Sequence, residues 1–164
     1  MTIDNSTKQA IWNQLGASLD MLENAIRMCS DEHWDTFEFW HNAYHCIFWT
    51  DYYLTIEPSD FIPPEPFDLS EFDPTRSLPE RLFTKRELVN YLEHCRQKAK
   101  QLITELTDET FEKRWINDYK NYSLLEILLY NLRHVQHHST QLNLLLRQKI
   151  NNAPPWVSRS TTPL

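Results

Sequence analysis

Apolar residues recur at three- and four-residue spacing along four long stretches of this chain, the periodicity of helices that bury one face. The first stretch, about residues 7–30, carries Ile11, Leu15, Leu19, Leu22 and Ile26 on one side, with Gly16 inside it. The second, about residues 36–56, includes FEFWHNAYHCIFWTDYYLTI and is apolar in nearly every direction, so it predicts a helix buried on most sides. A third, about residues 84–106, opens with the capping box Thr84/Glu87 and continues through Leu88, Leu92, Cys95, Ala99 and Leu102. The fourth, about residues 123–149, opens with a similar pair, Ser123 and Glu126. Between the third and fourth, TDETFEKRWINDYKNY predicts turns with a short helix or an extended piece.

Proline and acid share one connection. Pro58, Pro63, Pro64, Pro66, Pro74 and Pro79 fall in residues 57–80, and Pro154, Pro155 and Pro163 fall in the tail, residues 150–164. Because proline breaks helix interiors, the four periodic stretches are where long helices can run. Residues 57–80 also hold Glu57, Asp60, Glu65, Asp68, Glu71, Asp73 and Glu80 against Arg76 alone, and so most of the formal charge of −7. This connection is long for a helix bundle, so it reads as a lid, an interaction segment, or a surface loop held by Phe61, Phe67 and Phe72. An all-α four-helix bundle in one domain, residues 1–164, with the long crossover between its second and third helices, follows. The tail is expected to fray, with Trp156 as a potential docking anchor.

Composition removes several functions. A single glycine, Gly16, stands where average usage of about 7% gives roughly eleven, so no glycine-built phosphate loop or nucleophile elbow can be written. Sheet-rich folds, which want glycine at tight turns, become unfavourable. At the centre of a helix Gly16 is expected to serve close helix packing. No Lys/Arg cluster exists, which argues against nucleic acid. No apolar run has the length of a membrane span and no signal pattern opens the chain, so a cytoplasmic protein is expected. Cys29, Cys46 and Cys95 are odd in number without a CxxC, and read as buried thiols in a reducing compartment.

Chemistry is left to seven histidines. On the fourth helix, Leu128, Leu132, Val135, Leu142 and Leu146 define an apolar stripe; His138 lies near its centre and His134 on its flank, whereas His137 points to solvent. A second i,i+4 pair, His41/His45, lies on the second helix. Two imidazoles one turn apart can reach one divalent cation. They can equally be core histidines with hydrogen-bond partners. Both pairs sit on strongly buried helices, where an inward histidine must find a partner, and a shared metal satisfies several at once. Asn131 and Gln141 are candidates for orienting an imidazole, or for touching a substrate in the case of Gln141. Phe48, Trp49 and Tyr52 are core aromatics that can also wall an apolar pocket. Asp51 points about 120° away from His45, off the ligand face.

FWHNAYHCIFWTDYYL together with NLRHVQHHSTQLNLLLR resembles the DinB/YfiT-like family of metal-binding four-helix bundles. In that family the last bundle helix carries a motif close to HxxHHRGQL. His134, His137, His138, Gln141 and Leu142 match it, whereas Ser139 and Thr140 replace its Arg and Gly. The resemblance covers roughly residues 7–150. It implies an up-down-down-up bundle and a three-histidine metal site of His45, His134 and His138, with His41 nearby. Zn²⁺ or Ni²⁺ suits neutral imidazoles that leave a coordination position open. It further implies a metal-dependent enzyme, a thiol S-transferase or a related hydrolase, acting on a small molecule with a low-molecular-weight thiol. The competing expectation is a non-catalytic, stress-associated metal-binding module. A homodimer is expected.

Overall fold

A computed structural model describes residues 3–73, 75, 79 and 81–164, so Pro74, Arg76 and Glu80 of the acidic connection lie outside the described residues. Four long helices, α1 (Asn5–Met28), α3 (Phe37–Tyr53), α4 (Lys85–Glu105) and α6 (Leu124–Ile150), occupy the four periodic stretches. Two one-turn helices, α2 (Asp31–Trp34) and α5 (Asp108–Phe111), and an antiparallel hairpin, β1 (Arg114–Ile116) and β2 (Asn121–Ser123), fill connections.

Side chains set the helix ends. Asp4 caps α1 by accepting from the Thr7 amide at 2.7 Å, which starts the helix earlier than the apolar pattern does. Thr84 and Glu87 make the full reciprocal box on α4. Only half of the expected Ser123/Glu126 box forms: Ser123 accepts from the Glu126 amide at 3.2 Å, while its own backbone belongs to β2 opposite Arg114. α3 stops at Tyr53 rather than 56. Its final turn is closed from outside, since Lys98 and the Thr55 hydroxyl both donate to the Asp51 carbonyl and the Trp115 indole donates to the Thr55 carbonyl.

Asparagine does the work that glycine does elsewhere. Asn151 ends α6 in the left-handed conformation, at φ 53°, the role most often taken by glycine. In the hairpin, the Asn117 side chain accepts from the Tyr119 and Lys120 amides, an Asx turn that needs no positive φ. A glycine-poor chain thus still forms one tight hairpin.

Cross-helix contacts give the directions. Lys8 reaches the Thr104 carbonyl and Lys85 the Cys29 carbonyl, so α1 and α4 run antiparallel. Cys95 donates to the Ile47 carbonyl and Lys98 pairs with Asp51, so α3 and α4 run parallel. Asn42 meets Gln141 while Asn131 meets Thr50, so α3 and α6 run antiparallel. The bundle is therefore up-down-down-up. Parallel neighbours α3 and α4 require the chain to travel back along a helix of about 25 Å, which is why their connection is long.

That connection is packed down. Phe61 and Phe72 pack edge-on against Phe48 and Tyr52, and Phe67 stacks on the Tyr91 ring at 4.3 Å between centres. The tail does not fray. It returns along α1, with Ser160 donating to the Asn13 carbonyl, Trp12 to the Thr162 carbonyl and Thr161 to Asp20. Gly16 packs against this tail and not against a helix, because a Cβ there would stand 2.6 Å from Ser160 Oγ. Asp20 also pairs with buried Arg96 at 2.6 Å, so one carboxylate joins α1, α4 and the tail. Trp156 is exposed, and all three cysteines are buried free thiols.

Candidate metal centre

α3 and α6 face each other with their histidines at the same height. His45 lies 4.9 Å from His138 and 5.8 Å from His134, ring centre to ring centre, and His134 and His138 are 4.6 Å apart. One ligand nitrogen from each of the three falls within 4.8 Å of the others. His137 is exposed, with its ring edge-on to His138 at 5.1 Å on the outer side of the cluster.

Two of the rings are oriented by hydrogen bonds through Nδ1. His45 Nδ1 donates to Glu71 Oε2 at 2.6 Å, and His138 Nδ1 donates to Asn42 Oδ1 at 2.6 Å. Asn42 is itself oriented by donating to Gln141 Oε1 at 3.3 Å. A proton fixed on Nδ1 leaves the Nε2 lone pair available, the arrangement by which a second layer of residues presents histidine to a metal. His134 differs. Both of its ring nitrogens are buried without a hydrogen-bond partner, a condition that costs about 1–3 kcal/mol per group unless something answers it.

Charge points the same way. Burial, then the neighbouring His138 and His45, hold His134 well below its ordinary value, at about 3. Burial and His45 likewise push His138 down to about 4. Both rings are neutral near pH 7, the state in which imidazole ligates. A divalent cation fits this donor set: neutral nitrogens, two with fixed tautomers and one otherwise unsatisfied.

Glu71, from the acidic connection, is the residue that charge counting did not single out. His41, His45 and Trp49 stand on successive turns of α3, and this one carboxylate meets all three, at 3.0, 2.6 and 3.2 Å. Its side chain is only 8% exposed. Burial alone would raise its carboxyl, but the hydrogen bonds and charges of His41 and His45 outweigh burial and hold it at about 2. The connection is therefore both a packed loop and a contributor to the centre. Of the other candidates, Gln141 supports Asn42, and His41 and Trp49 hold Glu71. Phe48 and Tyr52 pack beneath the connection instead of walling the histidines. Asn131 donates to the Thr50 carbonyl at 3.1 Å and orients no imidazole. Asp51 is fully buried and faces α4, where Lys98 and Tyr91 bind it.

His134 also borders an open cleft of about 720 Å³, lined along α6 by Tyr130, Arg133, His137 and Gln141. A three-histidine cluster with an open side, set between antiparallel helices of an up-down-down-up bundle, defines a class of helical proteins built to hold a metal ion. Residues 14–142 match the family model of the DinB superfamily, and the chain belongs to that superfamily. No curated protein and no solved structure shows significant similarity to it. Among the described residues, no helix is long and apolar enough to cross a membrane.

Proposed function

We propose that the chain is a metal-dependent enzyme of the thiol S-transferase type, with hydrolysis as the related reaction, and that His45, His134 and His138 hold Zn²⁺ or Ni²⁺. The observation that carries this reading is His134, whose two buried nitrogens have no partner while its ring borders an open cleft. When bound at three neutral imidazoles, such an ion supplies Lewis acidity, lowering the pKa of a coordinated thiol or water.

The chain's own groups divide the remaining tasks. Glu71 and Asn42 fix the His45 and His138 rings, and the Trp49 and Tyr53 rings flank the cluster. Glu71 is a poor proton acceptor because it is committed to three donors and held at about 2. A centre without an uncommitted carboxylate favours a nucleophile that gives up its proton easily, and a thiol, with a pKa of about 8.5 that a bound ion lowers further, does so far more readily than water. Three buried free thiols accord with a reducing, cytoplasmic setting.

Elemental analysis of the purified protein tests the site, beside the triple variant His45→Ala/His134→Ala/His138→Ala. Stoichiometric divalent metal is expected in the parent and none in the variant. Equal metal in both, or none in the parent under non-chelating conditions, defeats the site. A panel of biological thiols and electrophiles then tests the reaction, which must be lost with the metal.

A further inference from the structure

The acidic connection is fastened to the bundle in two different ways. Its first part is held by Phe61 and Phe67, both buried, and by the pair of Glu57 with Lys113. Residues 68–73 lack such anchors: none of them is classed as buried, and the Leu69 and Phe72 side chains are exposed. The Tyr44 hydroxyl reaches the Asp68 carbonyl only at 3.5 Å, and the Ser70 hydroxyl is buried without a partner, a cost to the seated state. Against this stands one inward side chain. Glu71 meets His41, His45 and Trp49 at 3.0, 2.6 and 3.2 Å. The single turn Ser70–Phe72 carries it, and a turn of that length does not hold itself in water. The seating of this segment therefore depends chiefly on one carboxylate.

His45 divides its two nitrogens between that carboxylate and the cluster. Nδ1 donates to Glu71, which leaves Nε2 facing its histidine partners. A cation that draws electron density through Nε2 makes Nδ1–H a stronger donor, and a carboxylate at Nδ1 makes Nε2 a better ligand. These are one coupling free energy seen from its two ends, and so are equal in size. The other two histidines have no comparable tie to the connection, since His138 is held by Asn42 of α3 and the His134 nitrogens have no partner.

We infer that residues 68–73 form a metal-linked strap: an ion at the three histidines seats them on α3, and their lifting loosens the ion, so that the connection regulates loading and release at the centre. This rests on the metal reading of the centre and not on its thiol chemistry.

Hydrogen–deuterium exchange of the full chain, stripped with a chelator and then reloaded with zinc, tests the link, with elemental analysis of the same samples. The probes are the Phe72 and Asp73 amides, which close the turn that carries Glu71. Zinc is expected to slow their exchange about 10–100-fold, the reciprocal of what a carboxylate behind a ligand is worth to the metal. Residues 57–62, fastened by Phe61 and Lys113, should not change. In Glu71→Gln at saturating zinc, the difference between the two states at Phe72 and Asp73 should vanish. Three results would each overturn the strap while the metal reading stands: equal exchange with and without stoichiometric zinc, protection spread evenly over both ends of the connection, or zinc-dependent protection that survives Glu71→Gln. Absence of bound zinc overturns both. Should the variant not fold, the comparison within the parent alone decides.

Discussion

On the side of α3 that faces α4, Asp51 is fully buried, yet both of its carboxylate oxygens are engaged: Oδ1 by Lys98 at 2.5 Å and Oδ2 by the Tyr91 hydroxyl at 3.0 Å. Facing α3 from α6, half-buried His134 has both ring nitrogens buried and neither engaged. Asp51 lies on α3 and His134 on α6, and the two clusters pack on different sides of α3. Other buried polar atoms lack partners singly, Asn131 Oδ1 and Ser139 Oγ among them, but among the described residues only His134 has two such atoms. The first cluster is complete as it stands and holds helices together. The second is complete only with a ligand, and it opens on a cleft.

The sharpest way to break that contrast is Lys98→Met, which leaves Asp51 buried without its counter-charge. Such uncompensated charges cost about 3–5 kcal/mol, so the denaturant midpoint should fall steeply while bound metal stays stoichiometric. Loss of metal with unchanged stability would reverse the roles assigned to the two clusters. Glu71→Gln is expected to act chiefly on the metal. It keeps the shape beside His45 but removes the carboxylate, and metal affinity measured by competition with a chelator should drop about 10–100-fold; the metal-free melting temperature should fall as well, because a carboxyl held at about 2 contributes stability at neutral pH. An unaltered affinity would make Glu71 merely a clasp for the connection.

The smallest effect concerns a third region, the tail. Gly16→Ala gains up to about 1 kcal/mol of helix propensity, but the new methyl would meet Ser160 Oγ at 2.6 Å. In the full chain the substitution should destabilise and expose residues 157–164 to protease. In a chain cut after Trp156 it should stabilise. Stabilisation in both forms would mean that the tail does not depend on that contact.

Local pattern was enough for the helices and for two of the three clustered histidines as a pair. Helix periodicity, proline placement and the Thr84/Glu87 cap are contained within a few residues of one another, and i,i+4 spacing alone puts His134 and His138 on one face. Composition likewise showed that the chemistry must lie in side chains. The tertiary structure decided what depends on contacts between distant residues. Glu71 reaches His45 from 26 positions away, Asn42 reaches His138 from 96, and the tail reaches Trp12 from 150. An acidic run in sequence reveals charge but not which carboxylate turns inward. Asn131 had the right spacing to support a histidine and instead bonds α3, because the polar group nearest in space, not in sequence, takes the hydrogen bond. Gly16 was visible as an exception in a helix, and only the returning chain showed that the room it leaves is for Ser160.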